Sequence, residues 1–244
     1  MYIQDWLWYD LDEVSSTNDV AIELSVNNEA EEYIVSAKSQ TDGRGRRGRK
    51  WQSQNGNLFF SQVIKDREDI LNKLPFLVSL ALLETIVYFE PKAEVKIKWP
   101  NDVLANDRKI SGILLEKASD NYIIIGIGVN IKSSPTLDVL YQATSLKQIG
   151  IETDRIEFLN KYIENFDKKI NQLQNSGFIS IIKNWLEHAT GIGQKIIVNS
   201  EHRSEEGLFC GLDIDGALLL RQGEHIKKIY AGDIFIKKDN TKNG

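Results

Sequence analysis

Cysteine is almost missing from this sequence. Its 244 residues hold one, Cys210, so no intramolecular disulfide can form and a reducing compartment is expected. Histidine is nearly as scarce, and His188, His202 and His225 are scattered without the spacing of a zinc site. No apolar run approaches the roughly 20 residues that span a bilayer. The opening stretch MYIQDWLWYDLDE has neither the cationic segment nor the unbroken apolar core of a signal peptide. A cytoplasmic protein without a membrane partner is the expectation. Positive charge is not in surplus either: the formal net charge is −5, whereas a nucleic-acid-binding domain carries a basic face. GxxxxGK[ST] does not occur, and GIGVN at 126–130 lacks the third glycine of a dinucleotide fingerprint, which argues against P-loop and Rossmann folds. There is no internal repeat and no low-complexity tract.

What is present reads as two regimes. A β-rich run leads into a helix near residue 17, with Ser16 as N-cap and Asp19 in the capping-box position. YIVSAKSQ (33–40) and NLFFSQVI (57–64) are rich in β-branched and aromatic residues and predict strands on either side of a glycine/arginine loop. LPFLVSLALLETIVYF (74–89) is apolar nearly all round and predicts a buried helix, with Pro75 in its first turn. In EVKIKWPND the alternation puts Val95, Ile97 and Trp99 on one face and Lys96 and Lys98 on the other. Ala105-Asn106-Asp107-Arg108 predicts a hairpin placing Lys109 near Leu104 and Gly112 near Asn101. YIIIGIGVNI (122–131) predicts a buried strand whose Gly126 and Gly128 admit a close backbone or ligand. Two helices are expected next, the first ending near Gly177. From Gly191 the texture changes to short strands between Gly, Asp and Asn turns. The organisation expected is therefore a catalytic domain at 1–190, a small β-barrel at 191–237 and a polar tail at 238–244.

GRGRRGRKW (43–51) concentrates five cations among three glycines in its first eight residues. Glycine lets backbone amides converge on an anion, and arginine forks bind phosphate or carboxylate. Alone, such a loop fits a solvated turn, a nucleic-acid contact or a small-molecule phosphate. Lys98, Asn101, Asp102 and Lys109 form a second group, for which solvent-facing lysines and a polar turn are the plain alternative. Ser16-Thr17-Asn18 is by itself a helix cap, and Asn130 a strand-end turn.

Taken together and in order, SSTN (15–18), SQTDGRGRRGRKW (39–51), KWPNDVL (98–104), RKISGILLE (108–116), GIGVN (126–130) and GLDIDGALLL (211–220) resemble the biotin protein ligases over nearly the whole chain. The resemblance implies an α+β fold: a mixed, mostly antiparallel sheet with packed helices, class II synthetase-like, followed by a C-terminal SH3-like barrel. It implies adenylation of biotin by MgATP and transfer of biotin to a lysine of a biotin carboxyl carrier protein. Ser16, Thr17, Asn18 and Gln40 would then hold biotin's ureido head. Gly43, Arg44, Gly45, Arg46 and Gly112 would line the acid and adenylate, with Arg46 guarding the intermediate. Lys109 would neutralise charge at the carboxylate and α-phosphate. Trp51, Asn101 and Asn130 would lie near the nucleotide, and Asp102 would be the candidate for steering Mg²⁺. The glycines predict a mobile unliganded loop that orders on binding. Many relatives carry an N-terminal DNA-binding domain; this sequence starts almost at the catalytic region, so no DNA partner is expected. Dimerisation through a sheet edge stays open, and a lipoate ligase or a noncatalytic nucleic-acid module are the competing readings.

Overall fold

The computed structural model describes residues 1–27, 32–67, 70–119, 121–135, 142–200 and 203–237; the expected polar tail at 238–244 lies outside them. Eight strands form one sheet: β1 (Tyr2–Ile3), β2 (Trp6–Val14), β3 (Tyr33–Gln40), β4 (Leu58–Lys65), β5 (Val95–Lys98), β6 (Asp102–Ala105), β7 (Arg108–Ser119) and β8 (Tyr122–Val129). Their order is β1-β2-β3-β4-β8-β7-β6-β5. Only β2 and β3 run parallel; every other neighbouring pair is antiparallel. The sheet is thus mixed and mostly antiparallel, as the resemblance implied.

Period-two alternation decides which face each residue serves. On β3, β4 and β8, Ile34, Leu58, Phe60, Ile123, Ile125 and Ile127 point into the larger core, against helices α2 (Leu74–Phe89) and α3 (Arg155–Glu187). Tyr33, Val35, Val63 and Ile124 point the other way, onto helix α1 (Thr17–Asn27). Helix α2 is buried on most sides, as its composition predicts. The two helices expected around Gly177 form one helix broken there, where Gly177 adopts φ 73 and ψ 170. Asp154 caps its start, accepting from the amides of Ile156 at 2.8 Å and Glu157 at 2.9 Å.

Strands β9 (Lys195–Asn199), β10 (Ser204–Leu212), β11 (Leu218–Gln222), β12 (His225–Ile229) and β13 (Asp233–Ile236) form the second, antiparallel sheet, ordered β12-β11-β10-β9-β13. Ile196, Val198, Phe209, Leu218, Leu220 and Ile234 from this SH3-like unit join the same apolar cluster as α2 and α3. No helix among the described residues is long and apolar enough to cross a membrane.

Two expectations are corrected. The free edge of β5 is covered: the Ile97 amide donates to His188 O at 2.8 Å and the Thr190 amide to Ile97 O at 2.9 Å. Lys98 is also buried, at 9% exposure, with its ammonium against the Phe235 ring of the C-terminal sheet, and is no solvent anchor. The β6–β7 register also shifts between Val103 and Leu104, so Lys109 pairs with Leu104 as predicted but Gly112 pairs with Asp102 rather than Asn101. Ile110 is the extra residue of this bulge. In a regular strand Lys109 and Gly112, three apart, would face opposite sides; the bulge turns both to one side, where a Cβ built on Gly112 would lie 3.0 Å from Lys109 Nζ.

Candidate active site

A cavity of about 450 Å³ opens on the α1 side of the large sheet. Two cross-strand rows carry its floor. Gly126–Leu114 is continued behind the lining by Ser61, and Gly128–Gly112–Asp102 is continued by Lys98, each step a paired position on adjacent strands. The glycines are there for room. A Cβ on Gly126 would collide with the Asn18 amide, and one on Gly128 with the Trp51 indole. The close approach expected at these glycines is made by side chains.

At one end of the cavity the start of α1 builds a polar corner. The Thr17 amide donates to Gln40 Oε1 at 2.8 Å, and Gln40 Nε2 donates to Ser53 Oγ at 3.0 Å. The Ser61 hydroxyl lies 2.8 Å from Thr17 Oγ1 and 2.5 Å from Asn18 Oδ1. Ser16, Thr17 and Asn18 are all buried at 3% exposure. Asp19, expected to close a capping box, instead takes Arg44 at 2.6 Å. The first-turn amide is satisfied by Gln40, from a neighbouring strand, so the helix start is held by tertiary contacts.

The glycine/arginine segment crosses the cavity mouth. Its turn passes through left-handed Arg47 (φ 57) and Gly48 (φ 67), which brings three guanidinium groups onto one carboxylate. Asp233 of β13 lies 3.8 Å from Arg46, 3.2 Å from Arg47 and 3.1 Å from Arg49. Arg46 also donates to Asn101 Oδ1 at 3.0 Å. Burial holds the Arg46 pKa below its ordinary value, against the pull of Asp233. Arg44 turns the other way, to Glu116 at 3.1 Å and to Asp19. Partial burial would lower its pKa, but the bonds to Asp19 and Glu116 outweigh that and leave it raised.

Beyond the bulge, Lys109 Nζ sits 2.6 Å from Asp102 Oδ1 and 5.4 Å from the centre of the Trp51 ring. Trp51 Nε1 is buried without a hydrogen-bond partner among the described residues. Lys98 Nζ lies 5.3 Å from the Phe235 ring of the C-terminal sheet. Burial pushes its pKa down to about 8, with Asp102 pulling it up and Lys109 pushing it further down.

Of the residues singled out from the sequence, Ser16, Thr17, Asn18, Gln40, Arg44, Gly45, Arg46, Trp51, Asn101, Asp102, Lys109, Gly112 and Asn130 all line the cavity. Gly43 does not; it packs behind the wall, where a Cβ would meet Gln40 Nε2, Ser53 Oγ and Trp51 O, each at 2.9 Å. Asn130 spends its amide on Thr144 O at 3.0 Å, and Asn101 donates to Ile113 O at 2.6 Å, so both brace the walls. Three functional neighbours were not singled out from the sequence, Ser61, Glu116 and Asp233, whereas Lys98, grouped there with Asn101, Asp102 and Lys109, sits beside the cavity rather than in its lining. Glu116 was within reach of sequence reasoning, since Gly112, Leu114 and Glu116 alternate onto one face. Asp233 carried no local signal, because its partners lie more than 180 positions away.

Asp102 is the one carboxylate among the cavity's described lining residues, and Lys109 already holds it. No group of three or more His, Cys, Asp or Glu among the described residues could enclose a metal ion.

A sheet with a polar corner at a helix start, a cationic loop over the mouth and an SH3-like unit against that loop defines a class of acid-activating ligase. The Biotin/lipoate A/B protein ligase family matches residues 11–130, and the biotin protein ligase C-terminal domain matches residues 191–237. Among curated relatives, the bifunctional ligase/repressor BirA of Bacillus subtilis is 38% identical over 233 residues, covering 91% of this chain and 72% of that protein. The biotin–[acetyl-CoA-carboxylase] ligase of Paracoccus denitrificans is 33% identical, covering 90% of this chain and 96% of its own. The biotin protein ligase of Aquifex aeolicus in complex with biotin and ATP superposes with a TM-score of 0.84 at 30% identity, covering 96% of this chain and 99% of that one. The chain belongs to the biotin protein ligase family.

Proposed function

We propose that this chain activates biotin with ATP and transfers it to a lysine of a biotin carboxyl carrier protein. A biotin carboxylate oxygen attacks the α-phosphorus of ATP; the bond to the β-bridging oxygen breaks and pyrophosphate leaves. The carrier lysine, as free amine, then attacks the acyl carbon of biotinyl-5′-AMP; the acyl–oxygen bond breaks, AMP departs and the amine loses a proton. The observation that carries this reading is the convergence of Lys109, Arg46 and the polar corner on one cavity.

In that cavity the Thr17, Asn18 and Gln40 groups, oriented by Ser61 behind them, are donors and acceptors suited to a cyclic urea, which both donates and accepts. The apolar dithiolane of lipoate would leave them unmatched, so the lipoate reading is not favoured. Lys109, next to the cavity floor, is a point cation for the carboxylate and the α-phosphate as charge builds in the transition state. Arg46 would contribute its guanidinium after leaving Asn101 and Asp233. Arg44 contributes through the backbone of the loop, since its guanidinium is engaged by Asp19 and Glu116. Mg²⁺ would arrive on the triphosphate, with Asp102 offering one ligand at most. The division into a catalytic domain at 1–190 and a C-terminal domain at 191–237 is supported by the separate sheets. A nucleic-acid role finds no support in the loop, whose Arg44, Arg46, Arg47 and Arg49 are met by protein carboxylates.

Incubation with biotin and ATP labelled at the α-phosphate tests the assignment. Wild type forms labelled biotinyl-AMP, and Lys109→Ala lowers its rate by about 10²–10³-fold, as for loss of one transition-state charge contact. A wild-type protein that makes no adenylate overturns the function, and a fully active K109A overturns the role of Lys109.

A further inference from the structure

Glu116 touches both ends of the site. Its Oε2 accepts from Asn18 Nδ2 at 2.5 Å, and the same oxygen accepts from Arg44 NH2 at 3.1 Å. Oε1 accepts from Arg44 Nε and NH2, both at 3.4 Å. We propose that Glu116 is a positioning residue: it fixes which way the Asn18 amide faces, and it ties the polar corner to the glycine/arginine loop. The assignment rests on the adenylating function proposed above.

The chemistry follows from donor and acceptor counts. A carboxylate accepts only, so Asn18 must give it the NH2 end. The amide is then forced to present Oδ1 to Ser61, which lies 2.5 Å away. Ser61 has one proton and two oxygen neighbours, Asn18 Oδ1 and Thr17 Oγ1, and Asn18 lines the cavity, so its Oδ1, with a second lone pair, is the acceptor this arrangement keeps in the polar corner for a ligand N–H. Were the residue at 116 able to donate, Asn18 could turn over and show NH2 instead, and the corner would repel the N–H groups of a cyclic urea. The room for this amide comes from Gly126, where any Cβ would collide with it.

The second half of the proposal concerns the loop. Arg44 is clamped between Asp19 on α1, at 2.6 Å, and Glu116 on β7. Asn18 and Asp19 are adjacent on the helix that forms the polar corner, so Glu116 and Asp19 together bind the root of the loop to the walls of that corner. A ligand head that settles against Asn18 therefore stabilises the position of Arg44 through a shared carboxylate. No bond between Asn18 and Arg44 themselves is present, which makes the link measurable.

Biotin binding is measured by calorimetry without ATP, and ATP binding without biotin, in wild type, E116Q and E116D. E116Q replaces one acceptor by a donor at nearly constant shape, and weakens biotin by roughly 10-fold or more, the scale of one charge-assisted bond turned unfavourable. ATP affinity moves by less than about twofold, and E116D, which keeps the acceptor character, recovers part of the biotin affinity. Unchanged biotin affinity in E116Q, or an equal loss for both ligands, overturns the proposal. A second measurement does not require any change at 116: in a double-mutant cycle, N18A and R44A are non-additive for biotin affinity by about threefold or more. Additivity within error overturns the link. Failure here in a wild type that still makes biotinyl-AMP leaves the proposed function standing, whereas a wild type that neither binds biotin nor makes the adenylate removes both.

Discussion

Lys98 is a buried ammonium beside the cavity, and its burial makes stability depend on pH in an unusual direction. A lysine with a folded-state pKa of about 8 against an ordinary value of 10.5 carries a linkage free energy of about 3 kcal/mol. The sign follows from proton counts. Between the two values the unfolded chain holds the proton and the folded chain has released it, so the unfolded state binds more protons and stability rises with pH. Below pH 8 both states are charged and the folded state bears the whole cost of burying the ammonium; the cost is relieved as pH climbs through the folded pKa. From pH 7 to pH 9.5 the gain from this one group amounts to about 2 kcal/mol. Little of it is screened, because the side chain is 9% exposed. Lys98→Met keeps an unbranched apolar stem against Phe235 and removes the titration. Urea unfolding of wild type and K98M at pH 7, 8.5 and 9.5 should give curves whose stability difference shrinks by about 2 kcal/mol across the range. Since groups that do not sense Lys98 cancel in the comparison, parallel pH profiles would refute the reasoning, and a loss of wild-type stability relative to K98M as pH rises would reverse its sign.

Asp233→Asn removes the anion shared by Arg46, Arg47 and Arg49. These arginine side chains are 20–39% exposed, so the loss is about 1–2 kcal/mol and falls with added salt. Trypsin cleavage within the loop should accelerate roughly fivefold to tenfold at low salt; an unchanged cleavage rate argues against the contact. Gly128→Ala forces its new methyl into the Trp51 indole, an overpacking that costs about 1–3 kcal/mol. G128A combined with W51L should regain most of that stability in thermal unfolding, and no recovery would point to a backbone cause.

Much of the site was legible in the sequence, for a physical reason. Glycine-rich loops, Asn-Asp turns and alternating strands encode local geometry, and the segments around Ser16, Arg44 and Lys109 announced themselves by composition. Helix α2 was equally plain, since a stretch that is apolar on all sides can only be interior. The bulge at Ile110 was not legible. It depends on how β7 pairs with β6 and β8 at once, and without it Lys109 would point away from Gly112. The burial of Lys98 was not legible, because alternation alone cannot reveal that Phe235 of the C-terminal sheet packs against its ammonium.

The loop shows the same division most sharply. Composition predicted a flexible, anion-seeking segment, whereas the folded chain gives Arg44 to Asp19 and Glu116 and the other three arginines to Asp233. The chain by itself determined that cations and glycines would gather here, because residue type and turn chemistry are local properties. Which carboxylates meet those cations was decided only when distant strands packed together, since Coulombic and hydrogen-bond energies depend on distances that sequence separation does not set.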